Sequence, residues 1–203
     1  MQLLRWTTTV AACLSHHHSR TKLMNSTQPL NLKDLDDADV MSGVQAHDRR
    51  ALEKLYLTFY GPLARFLSRI VIETSAVDEI ISDTFMTIWT SAEEFRGESR
   101  VAAWIFGIAY RTALQSMGLH KAKGSLSLAD IIRRRDTEFT SENPYIDRLE
   151  RRLIRLPLQE RVTLALAYQM GFSIDEIAEI THVAPATVNV RMFQARLGLH
   201  PVA

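Results

Sequence analysis

Apolar side chains along this chain return every third or fourth residue, and no stretch alternates in the manner of a half-buried strand, so the pattern predicts an all-α protein. Asp36–Gln45 reads as a short helix with an acidic start and apolar Val40, Met41 and Val44, and Asp48 stands where it can cap the next one. That next helix, about Arg49–Ile70, carries Leu52, Leu55, Tyr56, Phe59, Tyr60, Leu63, Phe66, Leu67 and Ile70 on one broad face that must lie against a core. Gly61-Pro62 falls inside it and is expected to kink or break it. A third helix, Ala76–Thr90, turns Val77, Ile80, Ile81, Thr84, Ile88 and Trp89 inward and leaves Glu79, Ser82, Asp83 and Met86 outside. Phe95-Arg96-Gly97-Glu98 is a loop signal, and Val101–Ser116 is a fourth helix with Trp104, Ile105, Ile108, Ala109 and Thr112 at core spacing.

From Gly118 to Pro144 the pattern lapses into Gly, Ser, Lys and an Arg133-Arg134-Arg135 cluster, the composition of a flexible linker. A second small helical domain follows, with Leu149, Leu153 and Leu156 on one face, a reset at Pro157, and Val162, Ala165 and Leu166 packing a helix that ends at Met170-Gly171. Ser173 with Glu176 three residues on is a capping-box signature, and Ile174, Ile177 and Ala178 share the helical face behind it. Thr181-His182-Val183 interrupts, with His182 at a turn position where positive φ is costly but tolerated by His better than by most residues. Pro185 suits the first turn of a last helix whose buried side is Val188, Met192 and Ala195. Two short helices across a tight turn make either a helix-turn-helix or an ordinary αα-hairpin, and spacing alone leaves both open.

A chain of 203 residues that is 46% hydrophobic suits two small cores better than one large one. Its net charge of +1 identifies no partner, so a nucleic-acid binder of this composition has to segregate its charge. Cys13 has no second cysteine to pair with, in keeping with a reducing cytoplasm, and no apolar run approaches membrane-spanning length. Residues 1–30 read as a disordered extension, with Met24 an alternative start; His16-His17-His18 beside Cys13 on such a tail presets no metal site, so no metal or cofactor is assigned.

Three sets of residues change this picture. Leu156-Pro157-Leu158-Gln159-Glu160-Arg161, Gly171-Phe172-Ser173-Ile174-Asp175-Glu176-Ile177-Ala178, and Thr187-Val188 with Arg191 resemble the C-terminal promoter-binding domain of bacterial sigma-70 family factors, most nearly the extracytoplasmic-function (ECF) group. Upstream, Asp78-Glu79-Ile80-Ile81-Ser82-Asp83-Thr84-Phe85 resembles the sigma helix that docks on core RNA polymerase. Phe95-Arg96-Gly97 with Trp104-Ile105 and Ile108-Ala109 resembles the element that opens minus-ten DNA. The likeness covers about Asp37–Leu197 and implies an N-terminal domain at 31–117, a linker at 118–144 and a helix-turn-helix domain at 145–203.

The resemblance implies polymerase contacts at Asp78, Glu79, Ser82, Asp83 and Met86. It also implies minus-ten contacts at Phe95, Arg96, Arg100, Phe106, Tyr110 and Arg111, where cations would serve phosphates and rings would serve unstacked bases. In the last helix Asn189 and Gln194 would read adenine at the minus-35 element and Val190 a thymine methyl, while Thr187, Arg191 and Arg196 would hold phosphates. Departures from the family pattern matter. Ala76 and Ser82 replace a usual carboxylate and Gln, so Thr74, Ser75 and Ser82 become candidate sites where a Ser/Thr kinase restores negative charge. Ala102, Gly107 and Arg111 replace a usual Arg, Arg and Asn, which implies melting at few promoters, and the outward ridge Ala186, Val190, Phe193 and Leu197 is unusually apolar.

The function expected is therefore a cytoplasmic transcription initiation factor bridging core polymerase and promoter DNA, with an anti-sigma factor or a Ser/Thr kinase as regulator. The alternatives are a sigma-like decoy for an anti-sigma protein and a stand-alone helix-turn-helix regulator. Catalysis is not expected, because His47, His120, His182 and His200 are scattered, no nucleophile sits beside a base, and no Gly-rich phosphate loop occurs.

Overall fold

A computed structural model describes residues 38–71, 75–118 and 151–199, and among these every regular element is helical. Four helices form a first group: α1 (Ala38–Gln45), α2 (Arg49–Ile70), α3 (Ser75–Ser91) and α4 (Val101–Ser116), with a single 3-10 turn at Ala92–Glu94. The second group follows a helical stretch at 151–155: α5 (Leu158–Leu164), α6 (Ile174–Thr181) and α7 (Pro185–Leu199). The expected extension at 1–30 and all of the expected linker except Gly118 lie outside the described residues.

The helix boundaries follow from local chemistry. Asp48 caps α2, its Oδ1 accepting from the Arg50 N–H at 2.9 Å. Ser173 and Glu176 form a reciprocal capping box at the start of α6. His47 and His182, at φ 58° and 52°, are the non-glycine residues in the left-handed region among those described. Each ends a helix in the same way: His182 N–H donates to Glu179 O and Val183 N–H to Ala178 O, as His47 does to Val44 O and Asp48 to Gly43 O.

Two expectations need correction here. Of the kink or break expected at Gly61-Pro62, the break does not occur: α2 runs through it, because Leu52, Leu55, Phe59, Leu63, Phe66, Leu67 and Ile70 are buried on both sides of the proline. Burying each such side chain is worth about 1.5–3 kcal/mol, which outweighs the single hydrogen bond that Pro62 forfeits. Ile174 does not share the buried face of Ile177 and Ala178; it is 41% exposed, on the outer side of the first turn of α6. The helix after Pro157 also passes into a π-helical turn at Ala165–Gln169, which the spacing of its apolar residues did not announce.

The two groups share most of their core, beside a small cluster of Leu156, Leu164 and Ala195 that belongs to the second alone. One continuous cluster joins Phe66, Ile80, Phe85 and Phe106 of the first to Val162, Leu166, Phe172, Ile177, Ile180 and Val188 of the second. Helix α4 makes the junction, packing against α3 on one side and α6 on another. It can do so because Ala102, Ala103, Ile105, Phe106, Gly107, Ile108, Ala109, Tyr110 and Ala113 leave it almost no polar face. A helix apolar around most of its circumference has to be covered on more than one side.

Candidate polymerase and nucleic-acid interfaces

Helix α3 is sorted by its own period. Val77, Ile80, Ile81, Thr84, Phe85 and Ile88 are buried, and the Thr84 hydroxyl satisfies itself on Ile80 O at 2.7 Å. Glu79, Asp83 and Asp78 are left exposed, with Ser82 and Met86 half-buried beside them. The acidic face is anchored from α2, where the Tyr60 hydroxyl donates to Asp78 Oδ1 at 2.7 Å. Burial, this hydrogen bond and the nearby carboxylate charge together raise the Tyr60 phenol well above its ordinary range. Ser82 donates to Asp78 O at 2.8 Å, so its hydroxyl is already engaged, whereas Ser75 is exposed at the first residue of the helix. Thr74 lies outside the described residues.

The aromatic and basic residues around α4 are placed differently from expectation. Phe106 is fully buried, its ring 5.3 Å from Phe66 and 5.1 Å edge-on from Phe172, so it is a core residue rather than a surface for bases. Phe95, though on a loop, packs against Trp104 at 5.3 Å, and Gln45 Nε2 donates to its carbonyl at 2.8 Å. Arg96 stands exposed on the loop, which turns beside it at Gly97, φ 73°.

Arg100, Tyr110 and Arg111 point toward the second group. Arg100 Nε pairs with Glu176 Oε1, and its guanidinium lies 5.6 Å above the Phe172 ring. Its Nη2 is buried without a hydrogen-bond partner. Arg111 Nη1 lies 2.9 Å from His182 Nε2. Tyr110 is 7% exposed; burial raises its phenol, and the positive charge of Arg191 on α7 partly offsets the rise.

On α7, Val188 and Ala195 are buried and Met192 is half-buried, as their spacing requires. Thr187, Asn189 and Gln194 face solvent together with Val190, Phe193 and Leu197, the last three at 54%, 63% and 57% exposure. Arg191 donates to Gln159 Oε1 at 2.9 Å, and Arg196 donates to the Tyr168 hydroxyl at 2.8 Å. These partners orient both cations along the rim of the helix.

Four residues entered the site without being expected there. Glu176 was legible as a cap but not as the partner of Arg100, and His182 as a turn residue but not as the partner of Arg111. Phe172, just ahead of a helix cap, carries only the local signal of a residue that pins its own helix. Tyr168, 57% exposed, is set outward in the π-helical turn. Among the described residues no group of His, Cys, Asp and Glu could hold a metal ion, and no helix is long and apolar enough to cross a membrane.

Residues 55–121 match the family model for sigma-70 region 2, and residues 146–199 the model for sigma-70 region 4. The ECF RNA polymerase sigma factor SigM of Mycobacterium tuberculosis is 28% identical over 164 residues, 80% of this chain and 82% of that protein. The chain is an ECF sigma factor of the sigma-70 family. Its membership places it in transcription initiation with RNA polymerase.

The sigma factor also shares its fold with two solved complexes. CnrH bound to the cytosolic domain of CnrY matches with a TM-score of 0.59 at 20% identity, over 80% of this chain and 94% of that one. The sigma factor RpoE of Bartonella quintana, bound to the anti-sigma factor NepR, matches with a TM-score of 0.56 at 20% identity, over 72% and 92%. The region 2 match takes in most of α2 with α3 and α4, and the region 4 match takes in α5, α6 and α7. The contacts of Arg100 and Arg111 therefore run between the two matched regions of the sigma factor.

Proposed function

We propose that this sigma factor docks on core RNA polymerase through the outer face of α3, reads and opens minus-ten DNA from the α4 side of region 2, and reads minus-35 DNA with α7. The observation that carries the docking role is the division of α3 into a fully packed inner face and an exposed acidic outer one, Asp78, Glu79 and Asp83, flanked by Ser82 and the adaptable thioether of Met86. Minus-ten contacts are assigned to Phe95, Arg96, Arg100, Tyr110 and Arg111. Minus-35 contacts are assigned to Thr187, Asn189, Val190 and Gln194, with Arg191 and Arg196 on phosphates.

Run-off transcription with purified core polymerase tests this reading, together with co-elution of the two. Asp83→Lys should weaken core affinity roughly tenfold or more, since it puts a cation where an anion meets basic groups; unchanged co-elution would refute the docking role. Regulation by a Ser/Thr kinase is assigned to Ser75, where a phosphate adds about two negative charges at a helix N-terminus that favours them. Ser75→Glu should raise core affinity, and an unchanged affinity at Ser75 and likewise with Thr74→Glu and Ser82→Glu removes the kinase.

An anti-sigma factor is the other proposed regulator, supported by the solvent-facing apolar ridge Val190, Phe193 and Leu197, more apolar than DNA reading needs. The same ridge favours a second reading, a decoy that holds an anti-sigma protein and never initiates. Core binding without initiation at any member of a random promoter library would select the decoy.

A further inference from the structure

We infer that Tyr168 is a positioning residue for minus-35 DNA, its hydroxyl setting the Arg196 guanidinium in place before the DNA arrives. The inference rests on the phosphate role proposed for Arg196. Tyr168 comes from the π-helical turn at Ala165–Gln169, which Met170 N–H closes on Ala165 O at 3.2 Å. The side chain is 57% exposed, whereas Leu164 and Leu166 on the same stretch are buried. Wide turns of this kind are rare inside helices and recur where a side chain has a task outside the core.

Arg196, exposed on α7, donates twice to the Tyr168 hydroxyl, from Nε at 3.1 Å and from Nη2 at 2.8 Å. These two donors lie along one edge of the planar guanidinium. The opposite edge, Nη1 with the second N–H of Nη2, is left available for a two-point grip on a phosphate. The phenol is also a neutral holder, so Arg196 keeps its whole charge for DNA. Arg100 shows the contrast within the same chain, because the carboxylate of Glu176 both orients its guanidinium and offsets its charge. An untethered arginine gives up rotamer freedom when it binds, while one already ordered by a tyrosine does not. Ordering a single long side chain in advance corresponds to roughly a fivefold gain in affinity.

The test uses the full chain assembled with purified core polymerase. The probe is the fluorescein-labelled duplex that the parent holoenzyme enriches from a random promoter library, with affinity measured across a series of salt concentrations. Arg196→Ala should weaken binding and lower the slope of log affinity against log salt by about one, the mark of one lost phosphate contact. Tyr168→Phe keeps the ring and every charge, so it should weaken binding about fivefold with the slope unchanged. In the Arg196→Ala chain the same Tyr168→Phe change should cost nothing. Equal costs in the two backgrounds would mean that Tyr168 acts on DNA or on the fold without Arg196, and would overturn the inference. So would unchanged affinity of Tyr168→Phe in the parent chain. If Arg196→Ala leaves both affinity and slope as they were, or if the library yields no enriched duplex, the proposed minus-35 reading is what fails, and the role of Tyr168 falls with it.

Discussion

Removing the Phe172 ring should unfold a part of the molecule to which Phe172 does not belong. The ring is 5% exposed, meets Phe106 edge-on at 5.1 Å, and lies under the Arg100 guanidinium. Truncation of a buried Phe to Ala costs about 3–5 kcal/mol. The lower end applies to Phe172→Ala, because a seam between two groups of helices can close over part of the void. At about 2–4 °C per kcal/mol for a chain of this size, a loss of about 3 kcal/mol lowers Tm by roughly 6–12 °C.

The assay follows from where the tryptophans are. Trp89 and Trp104 lie half-buried in the first group, far in sequence from residue 172; Trp6, outside the described residues, is replaced by Phe to remove its background. Thermal unfolding is then followed by tryptophan fluorescence and by far-UV circular dichroism on the same samples. A shared core requires both probes to fall together in Phe172→Ala. If the fluorescence midpoint stays at its parent value while the dichroism splits into two steps, the continuous cluster through α4 contributes no stability to the first group, and the shared core is refuted.

Further outcomes follow from single contacts. Because the Tyr60 phenol is raised, its contribution to stability is complete below the ordinary phenol value of about 10 and is lost as pH climbs from there through the folded value. Tyr60→Phe should cost about 1 kcal/mol near neutral pH and flatten part of the alkaline loss in chemical denaturation; an unaltered alkaline slope would mean that folding does not raise the Tyr60 phenol. At position 182, Ala keeps a Cβ at φ 52° and loses the contact with Arg111, whereas Gly loses the same contact but relieves a left-handed strain of about 1–2 kcal/mol. His182→Gly should therefore melt higher than His182→Ala, and the opposite order would mean that the turn is not left-handed. In a double-mutant cycle Arg111→Ala should cost stability while the His182 ring is present and almost none in the His182→Ala chain; equal costs in the two backgrounds would show that the pair is not coupled.

What was legible in the sequence was what neighbours along the chain decide among themselves. The Asp48 cap, the Ser173 and Glu176 box, the start of α7 at Pro185 and the division of α3 into acidic and apolar sides all depend on groups within one turn of each other, so spacing alone announces them. The sigma-family likeness followed because those local patterns stand in a recognisable order.

The tertiary structure decided what covers each face. A periodicity shows that a side of a helix is apolar but not which element lies on it. The residue pattern of α4 suggests core on one side and DNA surface on the other, and its second side is covered by α6 instead. That choice takes Phe106 out of the candidate surface. It also joins Arg100 to Glu176 and Arg111 to His182, pairs 76 and 71 residues apart, across a separation at which the chain carries no local signal of contact. The course of α2 through Pro62 was likewise settled by the packing on either side of it, because burial summed over a whole helix face exceeds one missing backbone hydrogen bond.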